Sequence, residues 1–375
     1  MPSQLLHALF GEDVIAGICK RLEPRYRKAL AEIPITYKAV FTLGCQGPDI
    51  FYHSRRRRPV GLEYGTLLHR RGAGTFAARL LEASLSPGPV EGKNNQVSTA
   101  APGLFQPIPT EKGINALGAY ALGFMTHPFL DRLAHPYIVY RSGWLSTTRG
   151  GSSLYAVFHA FFERIIDVVM LKTLRGAEIS TWDQVGLLAE TCENPPEGLK
   201  ELLEKALILS FPERAGKDDK LSLRIGNAFP DCAGFYRMTS PEYTGGKTIT
   251  ASLDMSKDHL PYIYPEFPPG SGGGFDFLNL EHSPWYYPAG DEREDSRSFP
   301  EVYSDAVEAA SEILGCIINK YLEEGIFPFG EAAGSIGDGG LSIVDDAGKP
   351  CAPCRADPLP LMEVLEGQAA LRGLA

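Results

Sequence analysis

Three side chains able to hold a metal ion, His127, Asp131 and His135, follow one another at steps of four residues. A second set, His159, Glu163 and Asp167, repeats the step. Four residues advance a helix by about 400°, so each set lies along one face with a slow drift. Two helices facing each other across such stripes would converge imidazoles and carboxylates on a small volume, which is how helical bundles build metal sites. That donor set suits Zn²⁺, with iron and manganese as the other candidates.

With 8 histidines and 46 acidic residues in 375 positions, a His-x3-acid-x3-His match is expected roughly 0.02 times by chance, so coincidence explains it poorly. The surrounding Phe, Leu, Tyr and Val residues argue against a solvated face. Buried without partners, the polar stripe would cost several kcal/mol, on the order of one unmet hydrogen bond per group. Pro128 removes one helical N–H and disfavours helical geometry at His127. A kink or a fresh helix start is therefore expected there, with only Asp131 and His135 firmly on one face. Asp167 reads either as a group orienting a ligand histidine or as a surface carboxylate.

The elements that must position these residues are mostly helices. Apolar periodicity predicts helices over 3–22, with Ser3 as N-cap, and over 24–33, 62–84, 114–140 and 152–174. Others follow over 181–191, 197–209 and 301–323. Gly44 to Asp49 reads as loop chemistry, 86–113 as a long loop, and 240–300 as a Pro-, Gly- and aromatic-rich stretch with a joint at Gly272 to Gly274. With little period-2 alternation the class is all-α. The expected organisation is a metal-binding helical core over 1–175, a helical continuation over 176–325 and a Gly/Pro-rich, poorly ordered tail over 326–375.

A net charge of −10 argues against long nucleic acid as a partner, since phosphate backbones demand positive surface. The 7 scattered cysteines suggest a reducing compartment. Met1 to Gln4 shows no leader pattern, and no stretch is long enough to span a bilayer, so the expected location is cytoplasmic. Cys351-x2-Cys354 lacks a second pair at zinc-finger spacing and reads as free thiols. Arg55 to Arg58 would attract an anionic group or form a solvated loop. Neither a Gly-x-Ser-x-Gly elbow nor a phosphate-cradling P-loop is present.

Four stretches together resemble the zinc-dependent phospholipase C family, whose helical fold is shared with P1-type nucleases. They are the run Met1 to Gly11 (MPSQLLHALFG), Gly44 to Phe51 (GCQGPDIF), His127-x3-Asp131-x3-His135-Pro136-Tyr137 and His159-x3-Glu163. The motif order agrees over about residues 1–170, and Phe277 to Trp285 resembles a later motif of uncharacterised bacterial members. The resemblance implies a site of two or three zinc ions. One would sit on Asp49, His69 and His127, with Asp131 bridging to another. A second would sit on His135, His159 and Glu163, and a third on His7, Asp131 and the amino terminus left by trimming Met1. His53 rivals His69 for the place beside Asp49.

The implied activity is phospholipase C-like phosphodiester hydrolysis, by water activated for attack on phosphorus. Asp49 would be a ligand alone or would also accept the water's proton. The implied substrate is a phosphate-ester small molecule or a phospholipid head group. Two alternatives stand beside this reading: a P1-type nuclease or nucleotidase, and a non-catalytic protein whose helices zinc merely staples. Closed structural sites favour four ligands and cysteine, whereas three-residue His/carboxylate groups leave positions open for water.

Overall fold

The computed structural model describes residues 4–85, 114–145, 152–240, 260–267, 274–290 and 293–373, with the side chains of 152–155 excepted. The expected loop over 86–113, Ser3 as N-cap and the amino terminus as a ligand lie outside the described residues. The chain is all-α. Its first half runs through α1 (Gln4–Arg21), α2 (Pro24–Ala31), α3 (Ile33–Thr36), α4 (Lys38–Cys45), α5 (Asp49–Tyr52), α6 (Leu62–Arg70) and α7 (Ala73–Leu85), then α8 (Ala116–Ser142) and α9 (Ser152–Arg175). Its second half contains α10 (Gln184–Glu193), α11 (Leu199–Ser210), α12 (Leu221–Thr239), α13 (Phe299–Glu324), α14 (Phe329–Ile336) and α15 (Leu361–Leu371). The only sheet among the described residues is the antiparallel pair Trp285–Tyr286 and Glu294–Asp295.

α8 is the axis of the fold. It is apolar on nearly all sides and buried along almost its whole length, packed by α1, α4, α7, α9 and α13. Two glycines let α4 touch it backbone to backbone. A Cβ on Gly44 would lie 2.2 Å from the Tyr120 carbonyl oxygen, and one on Gly123 would lie 2.5 Å from that of Phe41. Of the two outcomes expected at Pro128, the fresh helix start does not occur, because α8 runs on through both Pro128 and Pro136. Packing from five helices outweighs the missing N–H groups, and His127 stays on the face of Asp131 and His135.

α1 begins without a capping side chain from its own turn among the described residues. Asp167, fully buried on α9, takes that role: its carboxylate accepts the N–H groups of Gln4, Leu5 and Leu6 at 3.0, 3.2 and 2.8 Å. Tyr264 Oη donates to it as well, at 2.9 Å. Asp167 thus neither orients a ligand histidine nor lies on the surface. It anchors the helix that carries His7, with a negative charge at the positive end of the helix dipole.

The tail expected to be poorly ordered is instead folded onto the core. α14 packs on α7, and Leu341, Ile336 and Leu361 are buried. α15 is pinned where Gln368 exchanges two hydrogen bonds with the backbone of Glu266, at 2.8 and 2.9 Å. Residues from α1 through α15 share one apolar core, among them Leu9, Phe124, Leu188, Phe229, Leu314 and Val364. No described helix is long and apolar enough to cross a membrane.

Candidate metal centre

Four helices converge their polar residues on the middle of α8. α1 brings His7, α5 brings Asp49, α6 brings His69, and α9 brings His159 and Glu163 to meet His127, Asp131 and His135. All eight are buried, at 9% exposure or less. They form three groups whose ligand atoms lie within 4.8 Å of one another: His7, His127 and Asp131; Asp49, His69 and His127; His135, His159 and Glu163.

Asp131 sits between the groups. Its Oδ1 faces His7 Nε2 at 3.2 Å, and its Oδ2 faces His127 Nε2 at 3.0 Å and His69 Nε2 at 3.7 Å. His69 Nε2 reaches Asp49 Oδ1 at 3.1 Å. On the far side His159 and His135 place their Nε2 atoms 3.1 and 3.4 Å from Glu163 Oε1. The rings of His7 and His127 stack at 4.1 Å.

The arrangement fits cations better than it fits hydrogen bonds. Both oxygens of Asp49, Oδ2 of Asp131, Nε2 of His127 and both ring nitrogens of His159 are buried without a hydrogen-bond partner of acceptable geometry among the described residues. Buried polar atoms normally find partners, and an ion held between them is one of the standard reasons when they do not. The histidines are also oriented for it. His69 Nδ1 donates to the Gly65 carbonyl at 2.8 Å, His127 Nδ1 to that of Cys45 at 3.2 Å, and His135 Nδ1 to that of Leu341 at 3.1 Å. A carbonyl only accepts, so each Nδ1 carries the proton and Nε2 is directed into the centre.

Burial works to raise the carboxyls of Asp49, Asp131 and Glu163, but the positive and imidazole groups around them outweigh it. His127 and His69 hold Asp49 below the usual carboxylate range, and His127 and His135 hold Asp131 well below it. Glu163 is held down likewise, with His159 and His135 contributing. Burial pushes His127 down, and pushes His159 down to about 4 against the pull of Glu163. Both are neutral at physiological pH, as a metal requires. His135 is the exception: burial would lower it, but Asp131 and Glu163 raise it to about 9.

A pH prediction follows from His135. In the metal-free protein its contribution to stability is complete below about pH 6.5 and fades as pH rises through about 9, because its folded pKa is the higher one. At pH 7.5 it holds a proton that a ligating imidazole must lose. Zinc uptake at that pH should therefore release at least one proton per chain, about one for His135 alone. Calorimetric titrations in buffers of different ionisation heat read that number directly, and no release would contradict the assignment of His135 as a ligand.

One residue of the C-terminal segment fastens two of the groups. Leu341 donates its N–H to the His69 carbonyl at 2.9 Å, while its own carbonyl receives His135 Nδ1. The stretch before it is latched by Arg132, the neighbour of Asp131 on α8. Its guanidinium donates to the carbonyls of Ile336, Gly337, Gly339 and Gly340, the Gly337 bond being 2.7 Å. Asp338 adds bonds to the backbone N–H and the hydroxyl of Thr75, at 2.7 and 2.6 Å. Replacing Arg132 with Ala should free this strap and weaken zinc binding at the His135 group by about 10- to 100-fold, the usual cost of losing a ligand's orienting partner. Competition with a chromogenic chelator measures it. Lys at this position, a point charge without the planar fork, should restore only part of the affinity.

His53, the rival of His69, belongs to none of the three groups. Its ring stacks on Phe235 at 3.7 Å, and burial pushes its pKa down to about 3. The Arg55 to Arg58 run is exposed, and its backbone is tied down by buried Asp231 of α12, which accepts the N–H groups of Arg56 and Arg57 at 2.8 and 3.1 Å. Neither Cys351 nor Cys354 forms a disulfide, and neither do the other five cysteines. Sequence reasoning missed Leu341 and Arg132. A backbone carbonyl has no sequence signature, and an arginine between a ligand and a leucine carries no motif.

Compared with known proteins, the chain matches no family model, no curated protein and no solved structure.

Proposed function

We propose that this chain is a zinc-dependent hydrolase of phosphate esters, phospholipase C-like in its chemistry and related in fold to the phospholipase C and P1 nuclease group. The observation that carries the reading is the position of Asp131, whose Oδ1 faces His7 while its Oδ2 faces His127 and His69 and lies 3.8 Å from His135 Nδ1, so that one carboxylate adjoins all three candidate groups. Zinc, when bound, would supply a water of lowered pKa, a clamp for phosphate oxygens and charge to stabilise the leaving alkoxide. No group offers more than three protein ligands among the described residues, and His127, with one available nitrogen, serves only one of the two groups that contain it; positions left open in this way support catalysis over stapling.

The chain's own residues have definable roles. Asp49, held below the usual carboxylate range by His127 and His69, is in this reading an ionised ligand and the candidate to accept the water's proton. Asp131 balances the imidazoles around it. The Nδ1 bonds of His69, His127 and His135 hold the ring planes before any substrate arrives, which keeps the reorganisation cost of catalysis low.

The experiment is hydrolysis by the zinc-loaded protein of a panel comprising bis(p-nitrophenyl) phosphate, phospholipids, short oligonucleotides and phosphomonoesters. Turnover of at least one diester, abolished by His135→Ala in a protein that remains helical by circular dichroism, is the expected result. If no ester in the panel is hydrolysed and His135→Ala only lowers the melting temperature, zinc is a staple and the reading fails.

A further inference from the structure

Arg55, Arg56, Arg57 and Arg58 take no part in the metal centre, yet the loop that carries them is held at its base and along its length. Gly61 donates its N–H to Ser54 Oγ at 2.8 Å, which closes the loop. The rest is seated on α12. Buried Asp231 accepts the N–H groups of Arg56 and Arg57, Asn227 Nδ2 donates to the Pro59 carbonyl at 3.0 Å, and Arg224 donates to the Val60 carbonyl at 2.7 Å. All four arginines of the run are exposed. A backbone fixed in this way presents its side chains with little ordering left to lose when a partner binds.

This face keeps a positive surplus after its carboxylates are set against it. Asp231 pairs with Arg57 at 3.1 Å, and Asp218 and Glu63 pair with Arg224 at 2.9 and 3.4 Å. Glu63 also pairs with Arg214. With every group at full charge, six arginines stand against three carboxylates, a surplus of three. Arg55, Arg56 and Arg58 form no ion pair among the described residues. The chain as a whole stands at −10, so solubility gives no reason for a positive face.

An apolar side chain adjoins the run. Leu223, Asn227, Asp231 and Gly234 stand at steps of four, four and three along α12, so they share one side of that helix. The loop lies over the last three: a Cβ on Gly234 would be 3.6 Å from Arg56 Nη1. Its base reaches the start of the helix, where a Cβ on Gly61 would be 3.3 Å from the Arg224 carbonyl oxygen. Leu223, next to Arg224 and one turn before Asn227, is left 54% exposed. Guanidiniums beside a protruding leucine suit a membrane surface, whose anionic head groups attract the charges while the acyl boundary receives the apolar side chain. Single-stranded nucleic acid is held on stacking aromatics, and residues 54–61 contain none.

We propose that the loop over 54–61 and Leu223 form a docking surface for membranes containing anionic phospholipid, with Arg55, Arg56 and Arg58 meeting the head groups and Leu223 entering the interface. The surface does not depend on the phosphoesterase reading, since docking requires no ester to be cleaved.

The test is sedimentation of the full zinc-loaded chain with lipid vesicles. Vesicles of phosphatidylcholine with about a third phosphatidylglycerol should carry the protein down, and pure phosphatidylcholine vesicles should not. Each basic residue at such a surface is worth about fivefold in partitioning, so Arg55→Gln/Arg56→Gln/Arg58→Gln should bind about 100-fold more weakly, with unchanged zinc content and melting temperature. Arg57, the partner of Asp231, stays in place in that variant. Leu223→Ala should bind about tenfold more weakly, the loss of roughly two inserted methylenes.

Equal sedimentation with both vesicle types, bound or free, overturns the surface, and so does full binding by the triple variant. Full binding by Leu223→Ala overturns the inserted leucine and with it the choice of a membrane. Tighter binding to a short single-stranded RNA than to the anionic vesicles does the same. None of these readouts needs hydrolysis, so the docking surface and the phosphoesterase reading fail separately.

Discussion

Asp131→Ala should bind at least one zinc ion fewer per chain than the parent protein and should hydrolyse phosphate esters roughly 10³-fold more slowly, the scale seen when a preorganised electrostatic centre loses a component. No other side chain in the centre reaches as many partners. Its two oxygens face His7 on one side and His127 and His69 on the other, and Oδ2 lies 3.8 Å from His135 Nδ1. Without it the first group keeps only two imidazoles, and buried histidines face one another with no balancing charge. Asn keeps the shape but not the charge, so Asp131→Asn should lose nearly as much. Element analysis and kcat/KM together check the expectation. An unchanged metal content in Asp131→Ala would show that Asp131 is not shared.

Gly47→Ala should be as damaging to the centre, although residue 47 never touches a metal in this account. Gly47 has a φ of +55°, where a side chain costs about 1–2 kcal/mol. The added Cβ would also lie 2.3 Å from Cγ of His127 and 2.7 Å from two more atoms of that ring. The ring has nowhere to retreat: it is fully buried, stacked on His7 and held through Nδ1 to the Cys45 carbonyl. The backbone penalty and the clash add, so the variant should lose about 3 kcal/mol or more of stability by urea denaturation. It should also lose the ions that depend on His127. A stable variant with full metal content would mean that the turn before α5 can shift without cost.

His127, Asp131, His135, His159 and Glu163 were legible in the sequence because a step of four residues translates directly into one helix face. His7, Asp49 and His69 have no such local pattern. They come from three other helices, so only a resemblance could suggest them, and their convergence is a property of tertiary packing. Gly44 to Asp49 reads as a loop on its glycines and proline, yet those residues close α4, make one positive-φ turn and open α5. Gly44 is needed for close approach to α8, and Gly47 both for its positive φ and for close approach to His127. The same misreading applies to the C-terminal segment. Gly337, at φ +81°, and its neighbours present carbonyls to Arg132, and Leu341 just after them bonds the His69 carbonyl and His135 Nδ1. α12 escaped notice because Pro230 and small residues mask its apolar period.

The central claim is that the three groups form one polynuclear zinc centre. The most direct measurement is the metal content of the full chain by mass spectrometry, after zinc loading and exhaustive dialysis. Two to three tightly held zinc ions per chain are expected, one for each His/carboxylate group that fills. Fewer than two per chain would contradict the account.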